Sequence, residues 1–144
     1  MIELSGVTVR FGARTALSNF SARLPDEGTV ALRGASGAGK TTLLRVLAGL
    51  LRPDAGTVTG LAGRRIGFVF QEDRLLPWRT ALQNVALVSD EARAKELLKR
   101  LDLGGALALR PAALSGGMRR RVAIARALAF SGDVLLLDEP FNGL

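Results

Sequence analysis

The chain has 144 residues, of which 48% are hydrophobic, and this length supports one core, so the sequence predicts a single domain or part of one. It contains no cysteine and no histidine, so any metal site within it must use oxygen ligands. The net charge of +7 fits phosphate ligands, nucleic acid and anionic lipid equally well. Because no apolar run approaches the ~18 residues of a membrane span and the N-terminus lacks a secretory signal pattern, we expect a soluble, intracellular chain.

The first 24 residues predict an antiparallel hairpin. Ile2 and Leu4 alternate with polar residues, and the alternation then shifts by one residue at Val7. A β-bulge at Ser5-Gly6 would absorb this shift. Phe11 stands at the end of the first strand, where its ring could stack on a base or pack against the hairpin.

The segment from Gly34 to Thr41 carries the strongest motif of the chain. It reads GASGAGKT, which fits the phosphate-loop pattern G-x-x-x-x-G-K-[ST]. Residues 29–33 predict a strand before this loop, and apolar residues at helical spacing predict a helix over residues 43–51 after it. Backbone N–H groups and the positive end of the helix would hold phosphates. The residues expected in this cradle are Gly34, Ser36, Gly37, Ala38, Gly39, Lys40, Thr41 and Thr42.

Two side chains of the loop have more specific expected roles. Lys40 would reach the β- and γ-phosphates of a nucleotide, and the Thr41 hydroxyl would ligate Mg²⁺. The alternative is a glycine-rich turn before an ordinary helix, but the full pattern arises by chance only about once in a few hundred chains of this length. The sequence therefore indicates nucleotide binding.

Two later strands are predicted to end in polar residues at one edge of a parallel sheet. Residues 66–70 are apolar on both faces and precede Gln71, and residues 134–137 precede Asp138 and Glu139. Asp138 would hold Mg²⁺ beside Thr41, and Glu139 is the candidate base for an attacking water. The amide of Gln71 could reach both the metal and the water. Solvated polar residues at strand ends are the alternative.

Helices are predicted between these two strands. Thr80 opens a capping box, and Ser89 is expected to cap the next helix. A long helix follows Leu114, with its core face expected at Val122, Ala125 and Ala129. Its other face is expected to carry Arg119, Arg120 and Arg126.

The start of this long helix is a second candidate anion site. Ser115 offers a hydroxyl, and Gly116 and Gly117 offer two unencumbered N–H groups at a helix N-terminus. The alternative is a plain helix cap.

Taken together, these motifs resemble the ATP-binding subunit of ABC transporters. The phosphate loop, Gln71, LSGGM at residues 114–118 and VLLLDEP at residues 134–140 occur in the family's order and cover essentially the entire chain from the hairpin onward. The resemblance implies an α/β fold with a P-loop NTPase core, a mostly parallel sheet, an N-terminal antiparallel β subdomain and an inserted helical subdomain at about residues 72–130. It implies one ATP-binding domain over residues 1–144, with ATP and Mg²⁺ as cofactors.

The resemblance also implies residue roles and partners. Phe11 matches the aromatic that stacks on adenine, Gln71 begins the loop that senses the transmembrane partner, and residues 115–117 complete the ATP site of the opposite subunit. The segment from Gln71 to Trp78, with LSGGM in place of LSGGQ, is most similar to importers of nitrate, sulfonates or taurine. Implied partners are a permease, a second copy of the ATPase in ATP and, indirectly, a solute-binding protein, with no nucleic acid. The implied location is the cytoplasmic side of the plasma membrane, and we expect Trp78 at a partner surface.

The family pattern contains elements that this sequence lacks. In the family, an aspartate follows the segment equivalent to residues 141–144, and a further strand and a switch histidine come after it. We therefore expect the sheet to lack a strand between the phosphate-loop strand and residues 134–137, and these 144 residues alone to hydrolyse no ATP. The alternatives are a nucleotide-binding remnant without turnover and an ABC-type ATPase that acts on nucleic acid or ribosomes. The net charge suits the latter, but the compact span of residues 71–114 does not.

Overall fold

The structure, a computed structural model, describes residues 1–142. The chain divides into two compact units, Met1–Arg64 and Arg65–Leu144. Gly143 and Leu144, which end the segment that the resemblance places before an aspartate, lie outside the described residues. None of the helices within residues 1–142 combines the length and the apolar character that crossing a membrane requires.

A three-stranded antiparallel sheet frames the first unit, with β1 in the centre. Its strands are β1 (Ile2–Phe11), β2 (Arg14–Leu24) and β3 (Ala55–Thr59). The predicted bulge is confirmed, because the register of β1 against β2 shifts between Leu4 and Val7. The shift allows apolar residues on both sides of the bulge to be buried, namely Ile2, Leu4, Val7 and Val9.

Helix α1 (Lys40–Leu47) begins inside the phosphate-loop motif. Its apolar stripe is buried as predicted, with Leu43, Leu44, Val46 and Leu47 in the core of this unit. The helix ends sooner than the apolar spacing predicts, because Gly49 adopts a φ of 70° and Leu50 beyond it is exposed.

The prediction of a strand over residues 29–33 is wrong. These residues belong to no strand, and Val30 is exposed. A strand forms only where a neighbour satisfies its backbone N–H and C=O groups, and no ladder among residues 1–142 includes this segment. The β-branched, apolar composition of this segment favours a strand, but none of the described strands pairs with it.

The second unit combines a parallel strand pair with helices. Strands β4 (Ile66–Val69) and β5 (Val134–Leu137) pair in parallel, with Val69 opposite Leu137 at their carboxyl ends. This confirms the predicted parallel arrangement. The intervening helices are α2 (Ala81–Val85), α3 (Glu91–Arg100) and α4 (Gly116–Phe130), with a 3₁₀ turn at Pro111–Ala113.

Helices α2, α3 and α4 enclose one apolar core. The predicted core residues of α4 are all buried, namely Val122, Ala125 and Ala129. Asn84 is also fully buried, and its side chain bonds the loop before α2: Oδ1 accepts from the Leu76 N–H at 2.8 Å, and Nδ2 donates to the Thr80 carbonyl at 3.0 Å. The helical part of the unit therefore has its own core and a rigid loop at its start.

One of the helix caps differs from its prediction. The capping box is confirmed, since Thr80 Oγ1 accepts from the Gln83 N–H at 3.1 Å and Gln83 Oε1 accepts from the Thr80 N–H at 3.0 Å. The prediction that Ser89 caps α3 is wrong, because the carboxylate of Asp90 accepts from the Arg93 N–H at 2.8 Å. A charged acceptor makes the stronger bond to an N–H group and displaces the hydroxyl by one position.

Candidate nucleotide-binding site

The phosphate-loop segment forms an exposed loop whose shape depends on its glycines. Gly37 and Gly39 have φ values of 79° and 88°, in the region that residues with a Cβ rarely adopt. Gly39 also lies against the hairpin, since a Cβ there would stand 2.4 Å from the Ala16 carbonyl oxygen. Glycine at position 39 is therefore required by its backbone conformation and by this close approach.

Lysine and helix N–H groups concentrate positive charge at this loop. The Lys40 ammonium donates to the carbonyl oxygens of Gly34 at 2.6 Å and Ala35 at 2.8 Å. Gly39 is the N-cap of α1 and provides no side-chain acceptor, and the first turn of α1 contains no acidic residue. Thr41 and Thr42 lie half-buried in that turn. An N-terminus with these properties is suited to an anion.

The end of the hairpin lies beside the loop. Arg14, the first residue of β2, donates from Nη2 to the Gly37 carbonyl at 3.3 Å. Phe11, the last residue of β1, is 50% exposed, so its ring is available to a ligand. Stacking of Phe11 on adenine stays a prediction.

In the second unit, the polar residues predicted at the strand ends do share one edge. Strands β4 and β5 pair up to their carboxyl ends, and the Asp138 N–H donates to the Val69 carbonyl at 2.9 Å in the bond that follows the ladder. Asp138 is 4% exposed, whereas Gln71 and Glu139 are exposed. One buried carboxylate beside two solvent-facing polar groups suits a metal ligand next to residues that contact water.

Glu139 has an uncommon backbone conformation. Its φ is 48°, in the left-handed region, which costs a residue other than glycine on the order of 1–3 kcal/mol and is frequent at functional sites. Its carboxylate accepts a hydrogen bond from Asn142 Nδ2, and its carbonyl accepts from the Asn142 N–H at 3.2 Å. The turn after β5 therefore fixes where this carboxylate lies.

The prediction that Arg120 lies on the outer face of α4 is wrong. Arg120 is 2% exposed, and its guanidinium donates to main-chain carbonyls at the ends of both β4 and β5. Five carbonyl groups accept these bonds, those of Phe70, Gln71, Asp138, Glu139 and Pro140. The helix is thus buried on a second side. Ala123, three residues further on and also buried, is the sequence signal that could have indicated this.

Arg126 and Arg119 also differ from the predicted outer face. Arg126 is half-buried and donates to the carbonyls of Asp73 at 3.1 Å and Arg74 at 3.0 Å. Burial lowers the pKa of Arg126, and the nearby charge of Asp73 partly opposes this. Arg119 is half-buried and donates to the Leu114 carbonyl at 2.9 Å. Arginines on a helix are therefore poor evidence for a solvated face, since Arg119, Arg120 and Arg126 are all buried or half-buried.

Ser115 is the N-cap of α4. Its Oγ accepts from the Met118 N–H at 3.1 Å, and the residue is exposed, as is Gly116, whereas Gly117 is half-buried. Met118 packs against the helical core, which accounts for an apolar residue after LSGG. The capping prediction is confirmed, and the role of Ser115, Gly116 and Gly117 as a second anion site stays a prediction.

The segment after Gln71 presents a tryptophan to solvent. Trp78 is 64% exposed, so it does not belong to the core. It lies between Leu76 and Thr80, whose backbone groups are bonded by the buried Asn84. A contact of Trp78 with a partner stays a prediction.

The donor groups fit the expected cofactor. Hydroxyl, carboxylate and amide oxygens of Thr41, Asp138 and Gln71 are hard ligands of the type that Mg²⁺ takes beside phosphate oxygens. The glycine loop ahead of α1 provides the N–H groups that phosphates need.

Comparison with known proteins supplies the family. A family model described as ABC transporter matches residues 17–142, which is most of the chain. The chain belongs to the ABC transporter family. The resemblance drawn from the phosphate loop, the LSGG segment and the strand ending in Asp138-Glu139 is therefore confirmed.

Several curated ABC proteins are similar over nearly the whole chain. An aliphatic sulfonates import ATP-binding protein, SsuB 1 of Shouchella clausii, is 47% identical over 99% of this chain and 59% of its own length. The sulfate/thiosulfate import ATP-binding protein CysA of Vibrio vulnificus is 46% identical over 99% of this chain and 48% of its own. The taurine import ATP-binding protein TauB of Rhizobium johnstonii is 43% identical over 100% and 63%. The chain thus spans between 48% and 63% of the length of these three relatives.

Solved ABC cassettes share the fold. A dimeric post-hydrolysis structure of the ATP-binding cassette MJ0796 with ADP and Pi has a TM-score of 0.89 and 34% identity, covering 100% of this chain and 76% of its own. A dimeric structure of MJ0796 described as a bacterial ABC transporter cassette has a TM-score of 0.86, the same identity and the same coverage. These likenesses confirm the predicted α/β P-loop NTPase fold class.

Proposed function

We propose that this chain binds MgATP and provides most of the ATP-hydrolysing domain of an ABC importer. The observation that carries the proposal is the phosphate loop, in which positive-φ glycines and the Lys40 ammonium lie ahead of an N-terminus of α1 that has no side-chain cap. This arrangement suits the triphosphate of a nucleotide, because N–H groups and a positive charge stabilise multiply charged anions. The family of the chain supports the same assignment.

Each site residue has a proposed task. Residues 34–42 hold the phosphates, with Lys40 at the β- and γ-phosphates. Thr41, Asp138 and Gln71 would hold Mg²⁺, which would neutralise charge on the phosphate oxygens. The Glu139 carboxylate accepts the proton of an attacking water, and Gln71 helps to orient that water. Phe11 stacks on the adenine ring.

The LSGG segment is proposed to act in a second subunit. Ser115, Gly116 and Gly117 would contact the γ-phosphate of ATP held by the partner copy. The N-terminus of α4 supports this, since Ser115 and Gly116 are exposed at the start of a 15-residue helix. ATP would then hold two copies together, and the dimeric MJ0796 cassettes give a precedent.

The proposed cycle powers a separate permease in the membrane. The relatives named above are import ATP-binding proteins for sulfate, thiosulfate, aliphatic sulfonates and taurine, so we propose a small sulfur oxyanion as the imported solute. The exposed Trp78, on a loop fixed by Asn84, is proposed to contact the permease on the cytoplasmic side of the membrane. A solute-binding protein would deliver the solute to the permease and touch this subunit only indirectly.

The dimer in ATP provides the test. Glu139→Gln, made in the natural polypeptide that carries this chain, keeps the shape of the side chain and removes the base, so ATP remains intact and the dimer persists. Light scattering after gel filtration in ATP and Mg²⁺ is expected to show a dimer. Adding Ser115→Arg is expected to restore the monomer.

Two controls make this experiment specific. Ser131→Arg adds the same side chain at the opposite end of α4, at an exposed position, and is expected to leave the dimer intact. Replacing ATP by ADP is expected to give a monomer. A monomer in every condition would contradict the proposed role of the LSGG segment.

A further inference from the structure

One buried arginine connects the two strand ends that carry the proposed catalytic groups. Arg120 lies on α4 with 2% of its surface exposed, and its Nη2 donates to the carbonyls of Asp138 at 2.7 Å and Glu139 at 2.9 Å. Its Nη1 donates to the carbonyl of Phe70, and to that of Gln71 at 3.3 Å. A planar guanidinium can hold several acceptors at fixed angles, which a single ammonium cannot.

These bonds begin where the strand ladder ends. The register of β4 and β5 closes at Val69 opposite Leu137, and the bond from the Asp138 N–H to the Val69 carbonyl follows it. Beyond that bond, the carbonyls of both strand ends turn to Arg120. The guanidinium therefore takes the place of strand-to-strand hydrogen bonds at residues 70–71 and 138–139.

Glu139 depends on Arg120 most directly. Its φ of 48° is set by the peptide groups on its two sides, whose oxygens are those of Asp138 and Glu139. Both oxygens accept from the same nitrogen of Arg120. Because a left-handed conformation in a residue other than glycine persists only when its surroundings enforce it, these two bonds hold the backbone that aims the Glu139 carboxylate.

The charge of Arg120 is balanced mainly by dipoles. Its contact with a carboxylate is a 3.5 Å approach of Nη1 to Asp73 Oδ1, on the segment that follows Gln71. Carbonyl oxygens make up the other described acceptors. A buried charge that is bonded to so many main-chain groups is costly to replace by a side chain with fewer donors.

We infer that Arg120 is a positioning residue, which fixes Glu139 and Gln71 relative to each other through their main-chain carbonyls. The inference rests on the proposed ATPase function. It assigns Arg120 no contact with nucleotide or metal. Its loss should therefore lower kcat while leaving KM for ATP almost unchanged, because a misplacement of ~1 Å in catalytic groups can cost ~10²-fold in rate.

Arg65, the exposed residue before β4, offers a control at the other end of the strand pair. It lies at the opposite end, where its Nη2 donates to the Phe130 carbonyl at 2.7 Å and its guanidinium stacks over the Phe130 ring at 4.6 Å. Arg65→Gln therefore removes an arginine-to-carbonyl contact between the start of β4 and the end of α4 without altering Gln71 or Glu139. We expect its kcat to remain within about twofold of the unaltered protein.

The experiment compares Arg120→Gln, Arg120→Lys and Arg65→Gln in the natural polypeptide that carries this chain. We expect kcat to fall by about 10- to 100-fold in Arg120→Gln and by about tenfold in Arg120→Lys, with KM within about twofold. If Arg120→Gln does not fold, the kcat of Arg120→Lys tests the inference, since lysine keeps the charge and loses only the planar set of N–H donors. An Arg120→Lys variant with the kcat of Arg65→Gln would overturn the inference.

Hydrogen exchange tests the connection without turnover. In Arg120→Lys, amides in residues 70–74 and 138–142 are expected to exchange about tenfold faster, whereas Arg65→Gln should affect residues around Phe130 instead. Faster exchange in only one of the two strand-end segments would overturn the inference. Absence of ATP turnover in the unaltered protein would contradict the proposed function, while the exchange result would still decide the role of Arg120.

Discussion

The phosphate loop in the first unit and the strand ends in the second unit are built in opposite ways. The loop is contiguous and exposed, and its shape follows from local glycine conformations at Gly37 and Gly39. The strand ends bring together Gln71 and Glu139 from distant parts of the sequence, around the buried Arg120. Substitution of the Lys40 side chain in the loop should therefore act mainly on ligand binding, whereas substitutions near the strand ends should act on the placement of catalytic groups.

The largest expected effect sharpens this comparison at the strand ends. Glu139→Gln should lower ATP turnover in the natural polypeptide by about 10²–10⁴-fold, because a positioned general base contributes about that factor. The measurement is phosphate release under saturating MgATP. Glu96→Gln, which alters an exposed glutamate paired with Arg93 and Arg100, should retain turnover. Equal rates for Glu139→Gln and the unaltered protein would remove Glu139 from the mechanism.

A smaller effect tests the local construction of the loop. Gly39→Ala should destabilise the protein by about 3 kcal/mol or more, because its Cβ would meet the Ala16 carbonyl oxygen at 2.4 Å and its φ is positive. Gly49→Ala is the control, since it has a φ of 70° but nothing within 4 Å of its Cβ. It should cost about 1–2 kcal/mol from backbone strain alone. Urea unfolding measures both free energies of unfolding. Equal losses of stability in the two variants would mean that the close approach of Gly39 to β2 does not affect stability.

The next effect concerns the LSGG segment as a helix cap. Ser115→Ala should lower the free energy of unfolding by about 1 kcal/mol, because the Met118 N–H loses its acceptor. Ser131→Ala at the other end of α4 should change it by less than about 0.5 kcal/mol. Thermal unfolding gives the comparison. A neutral Ser115→Ala would show that water replaces this cap fully.

The smallest expected effect lies at the surface of the first unit. The N-terminal ammonium, and after it Arg64, lowers the pKa of Asp26 below its usual value of 3.8. The resulting stabilisation is present above pH 3.8 and disappears as the pH falls through the lowered pKa. Because Asp26 is exposed, Asp26→Asn should barely change the melting temperature at neutral pH. It should only weaken the dependence of the melting temperature on pH in the acid range. A large drop in melting temperature at neutral pH would contradict a minor, pH-dependent role of Asp26.

Local patterns in the sequence were sufficient for much of the fold. The bulge at Ser5-Gly6, the capping box at Thr80 and the parallel pairing of β4 with β5 follow from alternation, spacing and turn residues, and all are confirmed. The strand at residues 29–33 failed because a propensity cannot form a ladder without a neighbour. The prediction that Ser89 caps α3 failed because two adjacent side chains, Ser89 and Asp90, compete for the same N–H groups.

The sequence located the candidate site residues but not what supports them. The phosphate loop and the Asp138-Glu139 pair are recognisable because the residues that form each motif are adjacent in the sequence. Arg120 is not recognisable in this way, because its partners lie 18 to 50 positions away and consist of main-chain oxygens, which carry no sequence signal. Only a fold that buries α4 on two sides brings them together.

The most direct test is a calorimetric titration of MgATP into residues 1–144, into Lys40→Ala and into Arg45→Ala. Lys40 lies at the phosphate loop, whereas Arg45 is an exposed basic residue on the same helix. We predict binding by the unaltered chain and by Arg45→Ala, and an affinity about 100- to 1,000-fold weaker in Lys40→Ala, equivalent to the ~2.7–4 kcal/mol of one such electrostatic contact. Equal affinity in Lys40→Ala and the unaltered chain would contradict the assignment of residues 34–42 as the phosphate site.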